Sequence, residues 1–295
     1  MKLFITGAEG FIGRELVSQC EKLGIEIIGV DFVESNKPNH YKADIRSKEI
    51  LNLIPEDVDA VIHLAGLTRD PDCKDNAYNC FDYNIMGTLN LIEASQKKKA
   101  KQFIFASSEW VYGDCKDGLK TEDSLINLSS LNSEYAFSKL VAENNLRQKY
   151  QYNFCPVTIL RFGIVYGNRT GNFSAVESVF NNIRTKEEIT VGSLNTGRCF
   201  IHVSDIANGI IKSIGLDGFN ILNLEGDKLI TLSEIIKTSE KILNKTVKVI
   251  ESSPEKESIR NISNEKAKKM LDWKPEISLE EGLIQLNDFL EKNPI

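Results

Sequence analysis

A tyrosine and a lysine four residues apart, Tyr135 and Lys139, have the types and the spacing needed for proton transfer. They lie in a helical pattern over residues 134–150, where positions i and i+4 share one face, so both side chains can face one pocket. Free tyrosine has a pKa of about 10 and is a poor base near neutrality. A neighbouring ammonium favours the phenolate, which can then remove a proton from a hydroxyl group. Taken alone, such a pair is more typical of a helix surface. Together with the glycine-rich loop at residues 7–13, it predicts a Tyr135 base that Lys139 assists.

The same spacing recurs at Tyr112 and Lys116, in a different context. Tyr112 and Gly113 follow an apolar run in a sequence typical of a turn, where residues four apart do not stack. The apolar run itself ends at Ser107 and Ser108. Ligands of parallel α/β sheets bind beyond the carboxyl ends of the strands. We therefore predict that Ser108, with Ser107 beside it, hydrogen-bonds the substrate oxygen that becomes a carbonyl.

A glycine-rich loop at residues 7–13 (GAEGFIG) indicates a dinucleotide site. It follows an apolar run at 2–6, opens a helical pattern and is followed by a second run that ends at Asp31. Glycines let the backbone approach a pyrophosphate, and the helix N-terminus offers N–H groups to that anion. Asp31 can accept hydrogen bonds from the adenosine ribose and repels an added phosphate, which favours NAD over NADP. The predicted loop contacts are Gly7, Gly10, Phe11, Ile12 and Gly13.

A second acidic position, Asp44, follows the next short run and is followed by Ile45. A carboxylate can accept a hydrogen bond from the adenine amino group, and an aliphatic side chain can pack on the ring. A surface aspartate is more often only solvated, so this prediction depends on the glycine loop. We assign Asp44 and Ile45 to the adenine end of the cofactor.

Apolar runs alternate with helical patterns through the first half of the chain, which predicts parallel strands joined by right-handed crossovers. The fold class is α/β, a Rossmann-type doubly wound parallel sheet with a small, discontinuous C-terminal α+β substrate lobe. Residues 1–167 and about 197–225 form the predicted NAD-binding domain, and about 168–196 and 226–295 the substrate lobe. Predicted strands are 2–6, 26–30, 59–64, 102–107, 156–162, 199–203 and 220–224. Predicted helices are 11–23, 82–95, 134–150, 205–214, 233–243, 278–290 and one within 174–184.

Composition narrows the class of protein. The hydrophobic fraction of 41% is that of a globular protein, and the net charge of -6 argues against nucleic acid as a partner. Neither a signal peptide nor a long apolar run is present, so we expect a cytoplasmic protein without a membrane partner. The six cysteines form no C-x-x-C pair and the three histidines are far apart, which predicts reduced thiols and no metal site.

These motifs together resemble the NAD-dependent epimerase/dehydratase family of extended short-chain dehydrogenases/reductases, over nearly the whole chain. The matching blocks lie at 6–13, 63–66, 84–88, 107–113, 135–139, 161–167, 198–205 and 272–275. The resemblance implies a catalytic set of Ser108, Tyr135 and Lys139, with Tyr135 and Lys139 also contacting NAD. It implies further cofactor contacts from Leu64, Ala65, Gly66 and Asn84.

The resemblance also implies a substrate, a nucleotide-diphosphate sugar with a UDP-sugar as the first choice, and a role in carbohydrate biosynthesis. Its diphosphate would be held by Arg198 and Arg260, because guanidinium forks suit that anion. Thr68, Ser108 and Glu109 would contact the rest of the substrate. A homodimer through the helices at 82–95 and 134–150 is implied as well.

Four activities are compatible with these residues. The leading interpretation is a 4-epimerase similar to UDP-glucose 4-epimerases, in which the sugar C4 hydroxyl is oxidised to a transient ketone and hydride returns to the opposite face. The first alternative is a 4,6-dehydratase that uses Glu109, although the acidic pair usual in such enzymes is incomplete because Trp110 follows. A net C4 oxidoreductase is the second alternative. The intact catalytic set argues against the third, a non-catalytic NAD-binding protein.

Overall fold

A parallel sheet of seven strands dominates the computed structural model, which describes residues 1–113, 115, 118–171 and 173–293. In spatial order its strands are β11 (Phe219–Leu224), β6 (Val157–Phe162), β5 (Phe103–Ser108), β4 (Ala60–His63), β1 (Lys2–Thr6), β2 (Glu26–Asp31) and β3 (His40–Lys42). The chain order runs outward in both directions from the pair formed by β1 and β4, and this reversal is the point at which such sheets bind ligands. The predicted doubly wound α/β fold is confirmed.

The helices cover the sheet or build the second part of the chain. They are α1 (Phe11–Lys22), α2 (Ile50–Leu53), α3 (Asp70–Cys73), α4 (Ala77–Phe81), α5 (Gly87–Lys97), α6 (Glu134–Gln151), α7 (Ala175–Thr185), α8 (Val203–Lys212), α9 (Leu232–Leu243), α10 (Glu265–Leu271) and α11 (Leu279–Lys292). A π-helical turn over Asp82–Met86 joins α4 to α5, and 3₁₀ turns span Glu109–Tyr112 and Leu128–Ser130. None of the helices in the described ranges has the length and apolar character needed to cross a bilayer.

Burial on both faces explains why the central strands read as continuous apolar runs. Every residue of β5 and β6 is buried, as expected when helices cover both sides of a parallel sheet. One core cluster joins Phe103 and Val157 of these strands to Leu91 of α5 and Leu146 of α6. Each such side chain contributes roughly 1.5–3 kcal/mol through burial. The core therefore fixes α5 and α6 against the strands that end at the predicted site.

The chain forms two compact units. The first contains Met1–Gly113, Ser124–Phe162 and Ala207–Leu222, and the second contains Asp114–Asp123, Gly163–Ile206 and Asn223–Ile295. The second unit is discontinuous, and residues 163–167 and 197–206 cluster with it and not with the sheet. The reason is that β7 (Val165–Tyr166) pairs with β10 (Ile201–His202). The assignment of the units to cofactor and substrate binding stays a prediction.

Helices and short strands build the second unit around its own core. Phe180 of α7, Ile235 of α9 and Leu283 of α11 are fully buried in one cluster. Further strands are β8 (Glu188–Val191), which pairs with β13 (Lys248–Glu251), and β9 (Gly197–Arg198), which pairs with β12 (Ile230–Thr231). The single strand predicted at 199–203 is wrong: two-residue strands flank residues 199–200, and α8 begins at Val203.

Candidate active site

The glycine loop lies at the carboxyl end of β1 and is packed too tightly for side chains. Gly7 has a φ of +74°, and a Cβ there would lie 2.8 Å from the Ala65 backbone nitrogen. A Cβ on Gly13, in the first turn of α1, would collide with the Gly7 carbonyl oxygen. Gly10 is the N-cap of α1 and has no side chain to occupy the helix N-terminus. This cradle fits the pyrophosphate of a dinucleotide, because backbone N–H groups can approach the anion directly.

Asp31 ends β2 and is oriented toward the same loop. Its carboxylate accepts hydrogen bonds from the backbone N–H groups of Glu9 (2.9 Å) and Val33 (3.3 Å). An ionised carboxylate has about four lone-pair positions, so two of them remain for ribose hydroxyls. The structure thus brings the glycine loop and Asp31 together. The contact of Asp31 with the adenosine ribose stays a prediction.

Asn84 anchors the loop that follows β4. Its side-chain Oδ1 accepts from the Leu67 N–H (2.8 Å), while Nδ2 donates to the Leu67 carbonyl (3.0 Å) and to Ser138 Oγ (2.9 Å). A Cβ on Gly66 would lie 2.7 Å from Asn84 Oδ1, so the loop 64–66 is held close to this amide. Asn84 sits in the π-helical turn, a feature that is frequent at functional sites. The geometry gives Asn84 the role of fixing the loop of Leu64, Ala65 and Gly66.

The predicted adenine contacts, Asp44 and Ile45, have protein partners. The Asp44 carboxylate accepts hydrogen bonds from Arg46 Nε (3.0 Å) and Nη2 (2.5 Å), and Arg46 Nη1 also donates to Asp82. Hydrogen bonding to Arg46 lowers the pKa of the Asp44 carboxyl. Ile45 is buried, and its Cδ1 lies 2.6 Å from the position that a Cβ on Gly87 would take. Their contact with a cofactor stays a prediction.

Ser108, Tyr135 and Lys139 are buried together, between 4% and 7% exposed. Ser108 is the last residue of β5, and Tyr135 is in the first turn of α6, which Ser133 caps by accepting from the Ala136 N–H (3.2 Å). Lys139 follows one turn later, donates to the Ala106 carbonyl (2.9 Å), and lies with Nζ 6.0 Å from the centre of the Tyr135 ring. The structure therefore brings together the three residues predicted to be catalytic.

Burial shifts the proton affinities of this group. It raises the pKa of Tyr135 to about 12, with the Glu109 charge adding to the effect and a hydrogen bond with Ser108 opposing it. Burial lowers the pKa of Lys139 to about 8, against the opposing charge of Glu143. Both shifts disfavour the charged forms, because a dry site does not solvate an isolated ion. Proton transfer at Tyr135 therefore depends on charge that a ligand brings.

Glu109 and Trp110 form the 3₁₀ turn that follows Ser108. Glu109 is fully buried, and the Trp110 ring lies edge-on to Tyr135 with ring centres 6.5 Å apart. Thr68 is exposed in the loop after Gly66. Tyr112 ends the turn and accepts a hydrogen bond from Arg161 (2.9 Å). Lys116 lies outside the described residues.

A disulfide joins Cys73 and Cys80, which corrects the expectation that all six cysteines are thiols. A spacing of seven residues carried no signal for pairing, and only the chain reversal between α3 and α4 brings the sulfurs together. The pair is fully buried in one cluster with Tyr135. Cys20 and Cys155 fit the expectation, because burial raises the pKa of their thiols to about 11 and about 12.

Arg198 and Arg260 lie on adjacent segments of the second unit. The Arg198 guanidinium donates to the carbonyls of Gly197 (2.7 Å) and Ser258 (2.5 Å), and the Arg260 N–H donates to the Gly197 carbonyl (3.1 Å). Both side chains are partly exposed. The Arg198 guanidinium thus bonds the backbone carbonyls of two neighbouring segments. Within the described ranges, no group of three or more His, Cys, Asp or Glu side chains is arranged to hold a metal ion.

Sequence reasoning missed a buried polar cluster behind the catalytic residues. Glu143, one turn after Lys139 on α6, forms a two-bonded ion pair with Arg161 of β6 and accepts a hydrogen bond from Ser107. A glutamate four residues beyond Lys139 lies on the same helix face, which was the available signal.

Comparison with known proteins shows the family of this chain. A model of the family described as "NAD dependent epimerase/dehydratase family" matches residues 3–221. A UDP-glucuronate 4-epimerase of Thermodesulfobacterium geofontis is 30% identical, with 98% of this chain and 96% of the relative covered. UDP-glucuronic acid decarboxylase 6 of Arabidopsis thaliana is 27% identical, with 96% and 87% covered. The structure of a UDP-glucose 4-epimerase with UDP-glucose from Thermotoga maritima has a TM-score of 0.87 at 25% identity, with 99% of each chain covered. The chain therefore belongs to the NAD-dependent epimerase/dehydratase family, and its cofactor is NAD.

Proposed function

We propose that this protein is a nucleotide-sugar 4-epimerase whose substrate is a UDP-sugar. The observation that carries the proposal is the burial of Ser108, Tyr135 and Lys139 together at the end of β5 and the start of α6. Two similar proteins, named UDP-glucuronate 4-epimerase and UDP-glucose 4-epimerase, support a C4 reaction on a UDP-sugar.

The first half of the reaction oxidises C4. Tyr135 Oη, as the phenolate, takes the proton of the sugar O4 hydroxyl while the C4–H bond breaks and the C4 carbonyl forms. Ser108 Oγ donates a hydrogen bond to O4, and Lys139 Nζ stabilises the phenolate. In the second half the sugar presents its opposite face, the C4–H bond re-forms with the hydride removed in the first half, and Tyr135 returns its proton to O4, so the configuration at C4 is inverted.

Because the pKa of Tyr135 is raised to about 12, added positive charge must favour its phenolate before the first step. Bound NAD supplies the hydride acceptor and donor, and its cationic ring adds positive charge that favours the phenolate. Lys139 is then the second positive charge near Tyr135 at any pH below its lowered pKa of about 8. Turnover should thus depend on both Tyr135 and Lys139.

The substrate diphosphate is the proposed ligand of Arg198 and Arg260. Guanidinium groups bind phosphate oxygens through paired hydrogen bonds, which a lysine does not reproduce. The backbone bond from Arg260 to Gly197 keeps the two arginine-bearing segments in register. Arg198→Lys and Arg260→Lys should therefore raise KM for the nucleotide sugar more than they lower kcat.

Glu109 supports a second candidate, a 4,6-dehydratase. It is a fully buried carboxyl group directly after Ser108. After oxidation at C4, such a group can take the C5 proton and protonate the departing O6 hydroxyl, so that one water is lost. Glu109→Gln would abolish a dehydratase and leave inversion at C4 by Tyr135 in place.

We also propose that the protein is a homodimer formed through α5 and α6. Met86, directly before α5, and Phe137 of α6 are 54% and 41% exposed, which is apolar surface that a partner can cover. Sedimentation velocity at micromolar concentration should show a dimer, and a Phe137→Glu variant should be monomeric. A parent protein that sediments only as a monomer contradicts this part of the proposal.

A panel of UDP-, dTDP-, GDP- and CDP-sugars incubated with protein and NAD tests the reaction. Proton NMR with mass detection should show a new anomeric signal at unchanged mass. Loss of water indicates the dehydratase, and accumulation of NADH indicates a net C4 oxidoreductase.

Tyr135→Phe should lower turnover by about 10²–10⁴-fold, because it removes the proton acceptor alone. Tyr152→Phe, at the exposed C-terminal end of α6, is the matched control and should be fully active. Equal turnover by Tyr135→Phe and the parent rules out the mechanism.

A further inference from the structure

A buried ion pair lies directly behind the catalytic residues. Glu143 and Arg161 have side chains only 4% and 3% exposed, and they form two hydrogen bonds of 3.0 and 2.7 Å. Glu143 also accepts from Ser107 Oγ (2.5 Å), and Arg161 donates to the Tyr112 hydroxyl (2.9 Å). One carboxylate therefore links α6 to β5, to β6 and, through Arg161, to the 3₁₀ turn that follows Ser108.

Three consecutive residues of β5 are bonded to three successive turns of α6. Ser108 is hydrogen-bonded with Tyr135, and the Ala106 carbonyl accepts from Lys139. Ser107, between them, is bonded to Glu143. Tyr135, Lys139 and Glu143 are four residues apart and share one helix face. The hydrogen bond between Ser107 and Glu143 is thus a third contact that fixes α6 against β5, and Glu143 carries no reacting atom.

The charges around Lys139 come from several elements. Glu143 lies on its own helix and Arg161 on β6; His63 faces it from β4, and Glu109 lies in the turn after β5. Burial, with the Lys139 charge adding to it, lowers the pKa of His63 to about 3, so His63 is neutral. Burial opposes the Arg161 charge, but the hydrogen bonds and charges of Glu143 and Tyr112 together outweigh burial and raise the pKa of Arg161. Burial lowers the pKa of Lys139, and the negative charge of Glu143 opposes this effect.

We propose that Glu143 is a positioning residue of this active site, which holds α6 against the end of β5 and balances the charge of Lys139 so that Tyr135 can ionise. The proposal rests on the function assigned above to Tyr135 and Lys139. The proposal predicts a change in the titration of Tyr135, which a purely structural role for Glu143 would not produce. A buried ion pair can often be replaced without loss of stability, whereas loss of the Glu143 charge must change the titration of Tyr135.

The test is a spectroscopic titration of the NAD-saturated protein. Tyrosinate absorbs in the near ultraviolet, and subtraction of the Tyr135→Phe spectrum isolates Tyr135 from the other tyrosines. Glu143→Gln removes the charge and keeps the size of the side chain. Lys139 should then lose its proton at lower pH, and the Tyr135 titration should move to higher pH by about one pH unit, or tenfold in the phenolate population.

Ser107→Ala is the matched control, because it removes one hydrogen bond from Glu143 and leaves the charge in place. Its Tyr135 titration should move less than that of Glu143→Gln, because only the bond to β5 is lost and the Glu143 charge stays in place. If a UDP-sugar is turned over, Glu143→Gln should lower kcat and leave KM unchanged, since Glu143 does not touch substrate. The titration needs no substrate, so it can fail or succeed independently of the proposed reaction.

Loss of one partner of a buried pair can prevent folding, and the double variant Glu143→Gln/Arg161→Met avoids leaving a single buried charge. It should move the Tyr135 titration upward as well, but by less than Glu143→Gln, because the positive charge of Arg161 is lost together with the negative charge of Glu143. The proposal is overturned if Glu143→Gln, or the double variant where the single one does not fold, titrates like the parent. It is also overturned if Ser107→Ala moves the titration as far, or if Tyr135 of the NAD-saturated parent does not titrate below about pH 8, where Lys139 still carries its proton.

Discussion

Gly7→Ala should weaken both the fold and NAD binding, by an amount that the structure allows us to estimate. Gly7 has a φ of +74°, which costs an alanine about 1 kcal/mol, and the new Cβ would lie 2.8 Å from the Ala65 nitrogen. Overpacking against backbone costs about 1–3 kcal/mol, because backbone atoms cannot rotate away. Gly24 provides a matched control: its φ is +68°, and a Cβ there meets nothing within 4 Å. Gly24→Ala should therefore cost about 1 kcal/mol and Gly7→Ala about 2–4 kcal/mol.

Denaturant unfolding without NAD measures the stability of both variants, and calorimetric titration measures their NAD affinity. Because the Gly7 loop must move to admit a methyl group, Gly7→Ala should bind NAD at least about tenfold more weakly than the parent. Gly24→Ala should bind NAD like the parent. The reasoning is refuted if Gly7→Ala costs no more stability than Gly24→Ala, or if it binds NAD with the affinity of the parent.

Three further predictions concern single features of the first unit. Burial lowers the pKa of His63 to about 3, so as pH falls from 6.5 only the unfolded chain gains a proton at this residue. Between pH 6.5 and 4.5 the parent should lose about 2 kcal/mol of unfolding free energy through His63, and His63→Gln should lack this loss, as measured by denaturant unfolding. The double variant Cys73→Ser/Cys80→Ser should be about 2.5 kcal/mol less stable than the oxidised parent, and a reductant should destabilise the parent alone; equal stability would contradict the disulfide. Asp31→Ser should bind NADP more tightly and NAD more weakly, because a carboxylate repels the ribose phosphate; unchanged selectivity would remove Asp31 from the ribose site.

Strong local patterns made much of the first unit predictable. The runs at 2–6, 26–30, 102–107 and 156–162 are apolar because helices cover both faces, and they became β1, β2, β5 and β6. The edge strand β3 (His40–Lys42) was missed, because it is three residues long and largely solvent-exposed. In the second unit α10 and β13 were missed within a Ser/Glu/Lys-rich stretch, where few apolar residues mark a period. Two-residue strands such as β9 and β10 depend on their partners and carry no periodicity of their own.

The residues of the site were predictable where chemistry fixes spacing. The glycine loop, Asp31, and the set of Ser108, Tyr135 and Lys139 follow from the geometry of a strand end and of a helix turn. The Glu143–Arg161 pair was not predictable in that way, since charged residues usually indicate solvent and only tertiary packing buries these two. The Cys73–Cys80 bond was missed for a related reason, because it depends on the chain reversal between α3 and α4.

The most direct test of the central claim uses a UDP-sugar that carries deuterium at C4. If hydride leaves C4 and returns within one binding event while Tyr135 moves the O4 proton, the epimerised product should retain deuterium at C4, and Tyr135→Phe should form essentially none of it. Proton NMR and mass spectrometry of the product measure both. Loss of the C4 deuterium to solvent, or epimerisation by Tyr135→Phe at the rate of the parent, would contradict the account.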